Sequence, residues 1–261
     1  MHRGPTLMWC RSMAIKVGRV PYVSCEPFYF DMERRGIELH DRFPSALSQA
    51  AENGEIDAGP IPLIDCYRME DRFRPLSGFC LATANKAGSV VLHSTRPIQE
   101  LNGARIGITE EASTAFRLLQ VLLTTKHQVT PKAYVSPEEP HEAVLYIGNQ
   151  GLRNRRGMPG FAYTYDLGEE WNQWTGLPFV FARWIVRNDL ERQDAILLED
   201  TLFVGLQDWA DGLFHLAEPR DRVRLHPQDL LEYTQGLRYF IGAPEQKAMD
   251  LFRKYVEELT L

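Results

Sequence analysis

The sequence predicts an α/β fold with two lobes and a ligand cleft between them. Short hydrophobic segments of β type alternate with amphipathic helical segments along the chain, which is typical of α/β proteins. The length of 261 residues lies at the upper edge of one domain, or fits two closely joined lobes. Because no repeat, low-complexity segment or Gly/Ser-rich linker divides the sequence, we expect the two lobes to exchange strands.

The first half of the chain gives a local reason for each predicted element. The segment before Pro21 is a β-type run, and apolar residues spaced i, i+3, i+4 and i+7 predict the helix before Gly54. A second helix is expected to begin at Ser113 as N-cap and to end at Lys126-His127, where the helix dipole favours cations. The predicted strands are 14–20, 55–61, 79–83, 89–94 and 105–109, and the predicted helical segments are 41–53, 65–70 and 113–127.

The second half continues the alternation. Residues 179–186 form a strand that is too apolar to lie at a sheet edge, and Thr175-Gly176 ends the helix before it. Further strands are expected at 132–135 and 143–147, and helices at 166–174, 190–213, 227–235 and 244–259. The alternation implies parallel strands with crossover connections, whose carboxyl ends gather ligands. We expect one discontinuous lobe of residues 14–96 plus 185–261, and a second lobe of residues 97–184.

The composition excludes several classes of protein. A hydrophobic fraction of 44% and a charged fraction of 25% are typical of globular chains and exclude disordered, collagen-like or coiled-coil chains. A net charge of −6 argues against nucleic acid, because phosphate binding requires a basic surface. No segment approaches the roughly 18 apolar residues of a membrane helix, so no membrane partner is expected.

Residues 1–13 and the cysteines indicate the expected compartment. Residues 1–13 contain no hydrophobic export segment, and we interpret them as a disordered extension, or as an upstream start with Met13 the natural first residue. Cys10, Cys25, Cys66 and Cys80 form no CxxC pair, which argues against a zinc site or a disulfide framework. We therefore expect a cytoplasmic protein with reduced thiols and no bound metal.

No standard catalytic signature or metal-ligand cluster is present, but one pattern recurs at strand ends and helix starts. Small hydroxyl residues and glycines stand at these positions, where backbone N–H groups and hydroxyls bind carboxylates. Each position alone is compatible with an ordinary cap or turn, whereas together they predict a ligand cleft. The residues are Tyr22, Ser24, Ser89, Ser113, Thr114, Gly148 and Asn149.

Arg183 is the basic residue of interest, because it lies within the apolar strand 179–186 and there needs a carboxylate partner. By strand alternation it shares a face with Phe181. Two interpretations stay open at this point. One is a structural salt bridge with Asp57, Asp166 or Glu170, and the other is a clamp for a ligand carboxylate.

Five segments together resemble the chorismate dehydratase family of menaquinone biosynthesis, which acts in the futalosine pathway. The resemblance covers about residues 14–260, and the last two segments are the more specific. In order, the segments are Gly18-Arg19-Val20-x-Tyr22, Glu55-Ile56-Asp57-Ala58-Gly59, Gly88-Ser89-Val90-Val91-Leu92, Tyr165-Asp166-Leu167-Gly168-Glu169-Glu170-Trp171 and Thr175-Gly176-Leu177-Pro178-Phe179-Val180-Phe181-Ala182.

The resemblance implies a type II periplasmic-binding-protein-like fold and a hydro-lyase reaction. In that reaction chorismate, a small anionic substrate, loses water to give 3-[(1-carboxyvinyl)oxy]benzoate, and aromatisation drives the step without a metal or organic cofactor. Ser24 and Ser89 are then expected to contact the reacting groups as catalytic residues. The expected substrate-binding residues are Tyr22, Ser113, Thr114, Gly148, Asn149 and Arg183.

The sequence departs from the family pattern at two motifs, and the segment Thr130–Ala143 is also shorter than usual. The usual Tyr-Leu-Asn after the first strand is Tyr22-Val23-Ser24 here, and Leu-Ile-Gly-Asp is Tyr146-Ile147-Gly148-Asn149. These changes keep two alternatives open: a non-catalytic cytosolic solute-binding protein for a small carboxylic or aromatic acid, and a different lyase or hydrolase of the same fold. Product formation identifies an enzyme, whereas ligand-induced stabilisation without product identifies a binding protein.

Overall fold

The computed structural model describes residues 14–212 and 225–259, so the predicted extension 1–13 and Cys10 lie outside the described residues. The strands are β1 (Lys16–Arg19), β2 (Glu38–Asp41), β3 (Ala58–Pro62), β4 (Phe73–Thr83), β5 (Val91–Ser94), β6 (Arg105–Ile108), β7 (Ala133–Val135), β8 (Ala143–Tyr146), β9 (Tyr163–Asp166), β10 (Phe179–Arg187) and β11 (Leu237–Phe240). The α-helices are α1 (Pro44–Glu52), α2 (Leu63–Arg68), α3 (Ser113–Val121), α4 (Gly148–Asn154), α5 (Leu167–Thr175), α6 (Arg192–Gly212), α7 (Pro227–Gln235) and α8 (Ala243–Glu258).

The strands form a six-stranded sheet and a five-stranded sheet. Apart from β11 at one edge of the first sheet, the strands of the two sheets follow the same order of connection. The first sheet has the order β11-β4-β10-β3-β1-β2, and the second has the order β7-β6-β8-β5-β9. Each sheet contains three strands that pair in parallel. In the first sheet β1 pairs with β2 and β3, and in the second β6 pairs with β7 and β8. The expectation of purely parallel pairing is wrong, because β10 and β5 run antiparallel to their neighbours.

The antiparallel strands have a topological cause. The chain passes from the first sheet to the second between β4 and β5, and it returns between α5 and β10. The first strand after each crossing, β5 or β10, is therefore not preceded by a crossover helix within its own sheet. It enters that sheet in the direction opposite to its neighbours. As predicted, β10 is a central strand, since it lies between β3 and β4.

The two sheets indicate lobe boundaries that differ from the predicted ones. The predicted boundaries assigned β5 to the first lobe and most of β10 to the second, whereas β5 belongs to the second sheet and β10 to the first. A division that follows the sheets assigns residues 14–87, 177–212 and 225–259 to one lobe and residues 88–176 to the other. The division into lobes stays a prediction, because the buried apolar residues of both sheets form one continuous cluster.

Most predicted elements are present, and one helix start needs correction. Ser113 is the first residue of α3 rather than its N-cap, which is Ala112 and makes no side-chain capping bond. The predicted helix then continues beyond α3 as a π-helical turn, Leu122–Lys126. The sequence missed β2, α4, β9, β11 and the 3-10 helix Val23–Tyr29. Among residues 14–212 and 225–259, no helix has both the length and the apolar character needed to cross a membrane.

Glu170 on α5 joins α5 to the π-helical turn through a half-buried ion cluster. Its Oε2 accepts hydrogen bonds from Lys126 Nζ at 2.6 Å and from His127 Nε2 at 3.0 Å. Burial alone would raise the pKa of Glu170, but the bonds from His127 and Lys126 outweigh burial and hold the pKa below its usual 4.5. The ionised carboxylate therefore stabilises the folded state above this usual pKa, and the contribution is lost as the pH falls through the lower folded value.

We expect Glu170→Gln to destabilise the protein by about 1–2 kcal/mol near neutral pH, because Lys126 loses a charged partner in a half-buried site. The difference in free energy of unfolding from wild type should shrink as the pH falls below about 4.5 and through the lower folded pKa of Glu170, since the wild-type carboxylate then becomes protonated as well. Thermal unfolding at several pH values measures this difference. Glu258→Gln, which alters an exposed pair with Lys254, is the control, and an equally large effect there would contradict the account.

Candidate active site

A cleft between the two sheets contains about 660 Å³ of space, part of it open to solvent. Six of the predicted site residues line the cleft, and Asn149 and Arg183 do not. The six are Tyr22, Ser24, Ser89, Ser113, Thr114 and Gly148, and Cys25, Glu111, Phe181 and Tyr233 are among the other lining residues.

Ser24 and Ser89, the two predicted catalytic residues, are both buried at the cleft, 4% and 8% exposed. Ser24 belongs to the 3-10 helix that follows β1, and Ser89 lies on the crossing segment just before β5. The Tyr233 hydroxyl donates to Ser89 Oγ at 2.9 Å. Burial raises the pKa of Tyr233 to about 12, although hydrogen bonds with Ser89 and Ser24 act in the opposite direction. Three hydroxyl groups thus meet at one wall of the cleft.

The turn before Ser89 is fixed by Asp166, the N-cap of α5. Its carboxylate accepts hydrogen bonds from the backbone N–H groups of Ala87 at 2.8 Å, Gly88 at 2.6 Å and Glu169 at 3.0 Å. Gly88 has a φ of +67°, and a Cβ there would come within 2.8 Å of the Tyr233 ring. Only glycine fits this position, because it adopts a left-handed φ at little cost and leaves room for the ring. Asp166 and Gly88 therefore hold Ser89 beside Tyr233.

The start of α3 is another part of the cleft lining, and the hydroxyl groups of Ser113 and Thr114 there also make hydrogen bonds within the protein. Ser113 Oγ donates to Asp65 Oδ2 at 3.1 Å, and Thr114 Oγ1 accepts from the backbone N–H of Ile64 at 3.2 Å. Both hydroxyl oxygens are thus engaged with the first sheet's α2. The Thr114 hydroxyl still has its proton to donate to a ligand. The backbone of the first turn offers further donors, because the first i to i−4 hydrogen bond of α3 runs from Phe116 N–H to the Ala112 carbonyl. The earlier amide groups and the helix dipole favour an anion at this end.

The ring of Tyr22 packs directly against the backbone of Gly148 at the cleft. Gly148 has a φ of +57°, and a Cβ at this residue would lie 2.4 Å from Tyr22 Cζ. The Tyr22 hydroxyl donates to Glu111 Oε1 at 3.2 Å, so the phenol bridges the loop after β1 and the loop before α3. Burial and the nearby Glu111 carboxylate raise the pKa of Tyr22 well above its usual range. This bridge keeps the two sheets close at the cleft.

Asn149, a predicted ligand contact, lies outside the cleft lining, and its side-chain amide makes hydrogen bonds within the protein. Its Oδ1 accepts from the backbone N–H of Val23 and its Nδ2 donates to the Pro21 carbonyl, both at 3.1 Å. The amide therefore joins α4 to the turn after β1. An aspartate at this position could accept the first bond but, when ionised, could not donate the second. This geometry gives a physical account of the asparagine at a position where the family pattern has a carboxylate.

The structure does not place Arg183 in the cleft lining, where a clamp for a ligand carboxylate was predicted, and the reason is an irregularity in β10. The pairing of β10 with β4 shifts register between Val180 and Ala182, so Phe181 and Ala182 both line the cleft and simple alternation fails. Arg183 lies outside the lining, with its Nε buried and unbonded.

The alternative interpretation of Arg183 as a salt-bridge partner also fails. Among the residues that the structure describes, no carboxylate pairs with Arg183. The three carboxylates considered from sequence have other partners: Asp57 pairs with Arg187, Asp166 caps α5, and Glu170 binds Lys126 and His127.

The electrostatic character of the cleft follows from its lining. Glu111 is the only carboxylate, and no lysine, arginine or histidine lines this cleft within the described ranges. An anionic ligand must therefore be held by neutral hydrogen-bond donors. Cys25 also lines the cleft, but burial raises its pKa to about 12, so it is a protonated thiol near neutral pH. Within the same ranges, no group of three or more His, Cys, Asp or Glu side chains is placed to hold a metal ion.

Two mixed sheets of matching strand order, joined by two crossings around a cleft, define a periplasmic-binding-protein-like fold. Known structures agree with this class. A Candida albicans gene product described as having the generic periplasmic binding protein fold matches with a TM-score of 0.58 and 10% identity, over 95% of this chain and 94% of that one. The alkanesulfonate-binding protein of Xanthomonas axonopodis pv. citri, bound to MOPS, matches with a TM-score of 0.60 and 16% identity, over 93% of each chain.

The comparison of sequences identifies the family within this class. The chain belongs to the menaquinone-biosynthesis family, whose model matches residues 15–258. It is similar to the chorismate dehydratase of Thermus thermophilus, with 24% identity over an alignment of 257 residues that covers 90% of this chain and 93% of that relative. A protein of Archaeoglobus fulgidus has a similar structure, with a TM-score of 0.71 and 16% identity over 95% of this chain and 98% of that one.

The site contains residues that the sequence did not indicate. Both Glu111 and Tyr233 come from distant parts of the chain. Glu111 is 89 residues from Tyr22, and Tyr233 is 209 residues from Ser24. Glu111 lies next to the predicted helix start at Ser113, which is the one local signal that could have pointed to it. Tyr233 belongs to a helix whose pattern predicts only an amphipathic surface, so nothing local separates it from other tyrosines.

Proposed function

We propose that this protein is a chorismate dehydratase, a hydro-lyase that removes water from chorismate to give 3-[(1-carboxyvinyl)oxy]benzoate in menaquinone biosynthesis. The observation that carries the proposal is the pair of buried hydroxyls, Ser24 and Ser89, at one wall of the interlobe cleft. Family membership and the similarity to the Thermus thermophilus enzyme support it. As a biosynthetic enzyme acting on a metabolite, the protein is proposed to work in the cytoplasm.

The proposed reaction needs little chemistry from the protein. The proton on C3, the ring carbon that bears the enolpyruvyl ether, leaves together with the hydroxyl group on C4, and the new C3–C4 double bond completes the aromatic ring. The enolpyruvyl carboxylate of the substrate serves as the base in this proposal. The protein then has to orient the substrate and stabilise the departing oxygen, which are the roles of positioned hydrogen-bond donors.

The cleft provides a place for each part of such a substrate. We assign one carboxylate to the backbone N–H groups at the start of α3, where the helix dipole favours an anion. The backbone of Gly148 and the ring of Tyr22 flank the ligand, and the apolar side chains of Leu81, Val90 and Phe181 fit a six-membered ring. Ser24 and Ser89 are assigned to the reacting edge of the ring, with Ser89 directed at the C4 hydroxyl.

Turnover and binding measured on the same preparation separate this proposal from a non-catalytic binding protein. Chromatography of chorismate incubated with purified protein should show loss of chorismate and an equal gain of the aromatic ether. A binding protein would instead be stabilised by about 2.7 kcal/mol at a ligand concentration of about 100 Kd, with chorismate recovered unchanged. That second result would reject the dehydratase and favour the binding protein.

Glu111→Gln tests whether the cleft accommodates a dianionic ligand. The amide keeps an acceptor for the Tyr22 hydroxyl but removes the only carboxylate of the lining. We expect KM for chorismate, and Kd measured by calorimetry, to fall by about 3- to 10-fold, since a like charge several ångströms from the ligand is removed. Glu110→Gln is the matched control, because Glu110 is exposed and outside the lining. A similar fall in that variant, or none in Glu111→Gln, would contradict the placement.

A further inference from the structure

We propose that Tyr233 is a positioning residue that holds the Ser89 hydroxyl as a proton donor to the cleft. This inference deepens the proposed function and rests on it, because the acceptor it assigns is the departing C4 oxygen of chorismate. Tyr233 lies on α7, far along the chain from the other residues of the site, and its hydroxyl lies 2.9 Å from Ser89 Oγ.

The argument begins with the hydrogen-bonding capacity of serine. A serine hydroxyl has one proton and two lone pairs, and Tyr233 donates into one of those lone pairs. The nearest acceptor that the described residues offer to the Ser89 proton is the Ala87 carbonyl at 3.5 Å. This distance exceeds the usual range of about 2.5–3.0 Å for an O–H···O bond. The Ser89 proton is therefore poorly satisfied within the protein and available to an oxygen in the cleft.

The position of the Tyr233 ring makes this arrangement rigid. The ring packs against Gly88, whose left-handed backbone leaves no room for a side chain between them. Asp166 fixes the same turn through the N–H groups of Ala87 and Gly88. Tyr233 and Ser89 are thus held by one another and by the crossing segment. With a pKa raised to about 12 by burial, the phenol stays protonated near neutral pH and remains a donor.

The proton transfers balance in the following way. The C3 proton passes to the enolpyruvyl carboxylate, and the C3–H electron pair forms the C3–C4 double bond. The C4–O bond breaks, and the departing oxygen keeps its own hydrogen and takes the Ser89 proton to form water. The proton taken from C3 finally passes from the enolpyruvyl carboxylate to Ser89 and restores its hydroxyl, while Tyr233 keeps its own proton throughout. The net change is one chorismate to one aromatic ether and one water.

The test compares Tyr233→Phe with Tyr239→Phe in the wild-type and Ser89→Ala backgrounds. Tyr239 is the matched control, because its hydroxyl is also buried nearby but donates to a backbone carbonyl, that of Ser24, at 3.0 Å. We expect Tyr233→Phe to lower kcat by about 10- to 100-fold with KM within about threefold of wild type. In the Ser89→Ala background the same change should lower kcat by less than about threefold, because Tyr233 acts through Ser89. Tyr239→Phe should keep kcat within about threefold.

The outcomes separate this inference from the proposed function. An unchanged kcat in Tyr233→Phe, or an equal loss of kcat with and without Ser89, overturns the role of Tyr233. If the wild-type protein binds chorismate without turnover, the dehydratase proposal fails and the same cycle is measured as Kd by calorimetry. There, a loss of affinity in Tyr233→Phe that disappears in the Ser89→Ala background supports the positioning role, and an unchanged Kd overturns it. Absence of both binding and turnover overturns both proposals.

Discussion

Ser89→Ala is expected to lower kcat for chorismate by about 10²–10³-fold, which is the usual effect of removing one donor that stabilises developing negative charge. Ser89 is a cleft hydroxyl whose proton has no close acceptor among the residues that the structure describes, so its loss should act on the reaction more than on the fold. The Tyr233 hydroxyl loses an acceptor, at a cost of about 1 kcal/mol. This should lower the melting temperature by only about 2–4 °C in a chain of this size. Steady-state kinetics and thermal unfolding measure the two effects.

Ser94→Ala is the matched control for that prediction. Ser94 is fully buried on the strand that follows Ser89, and its hydroxyl donates to the Arg96 carbonyl at 2.6 Å. Its removal should cost stability of a similar size while keeping kcat within about threefold of wild type. A Ser89→Ala variant that turns over chorismate like wild type would show that the departing oxygen is not placed beside Ser89.

Gly148→Ala is expected to raise KM by at least about tenfold and to lower the melting temperature by about 5–10 °C. The left-handed backbone at φ +57° costs an alanine about 1–2 kcal/mol, and overpacking adds about 1–3 kcal/mol. The added methyl group would lie 2.4 Å from Tyr22 Cζ, so the ring has to leave its place in the cleft. Moving the ring would also break the hydrogen bond between the Tyr22 hydroxyl and Glu111. The proposed binding site would then lose one of its flanks.

Gly103→Ala isolates the backbone part of this effect. Gly103 has a φ of +72° and nothing within 4 Å of an added Cβ, so the variant carries the conformational cost without a steric conflict. We expect a small fall in melting temperature and an unchanged KM. If Gly148→Ala binds chorismate as tightly as Gly103→Ala does, the contact of Tyr22 with Gly148 does not shape the site.

Much of the architecture could be predicted from local sequence, because its signals are local. The apolar run of β10 indicated a central strand, and Asp166 and Gly176 marked the two ends of α5 in agreement with the structure. Short elements such as β2 and β11 carry too few residues for a clear period. The direction of β5 and β10 depends on which sheet the chain enters after a crossing, and no pattern within either strand encodes that.

The candidate site could be predicted only where its residues stand at strand ends and helix starts. Ser24, Ser89 and Gly148 were found in this way, and the structure brings them to one cleft. The placement of Arg183 was not predictable, because two register shifts between β10 and β4 change the face on which residues lie. Asn149 was placed near the cleft, but only tertiary contacts show that its amide bonds the turn after β1. Tyr233 depends entirely on a contact between distant parts of the chain.

The central claim is that the cleft converts chorismate to the aromatic ether. A single-turnover experiment tests it most directly, with the purified full-length protein in excess over chorismate and the reaction followed by proton NMR. The account predicts that the ring signals of chorismate disappear and are replaced one for one by those of 3-[(1-carboxyvinyl)oxy]benzoate, and that Ser89→Ala slows this conversion by about 10²–10³-fold. Chorismate that binds to the wild-type protein and is recovered unchanged would contradict the claim.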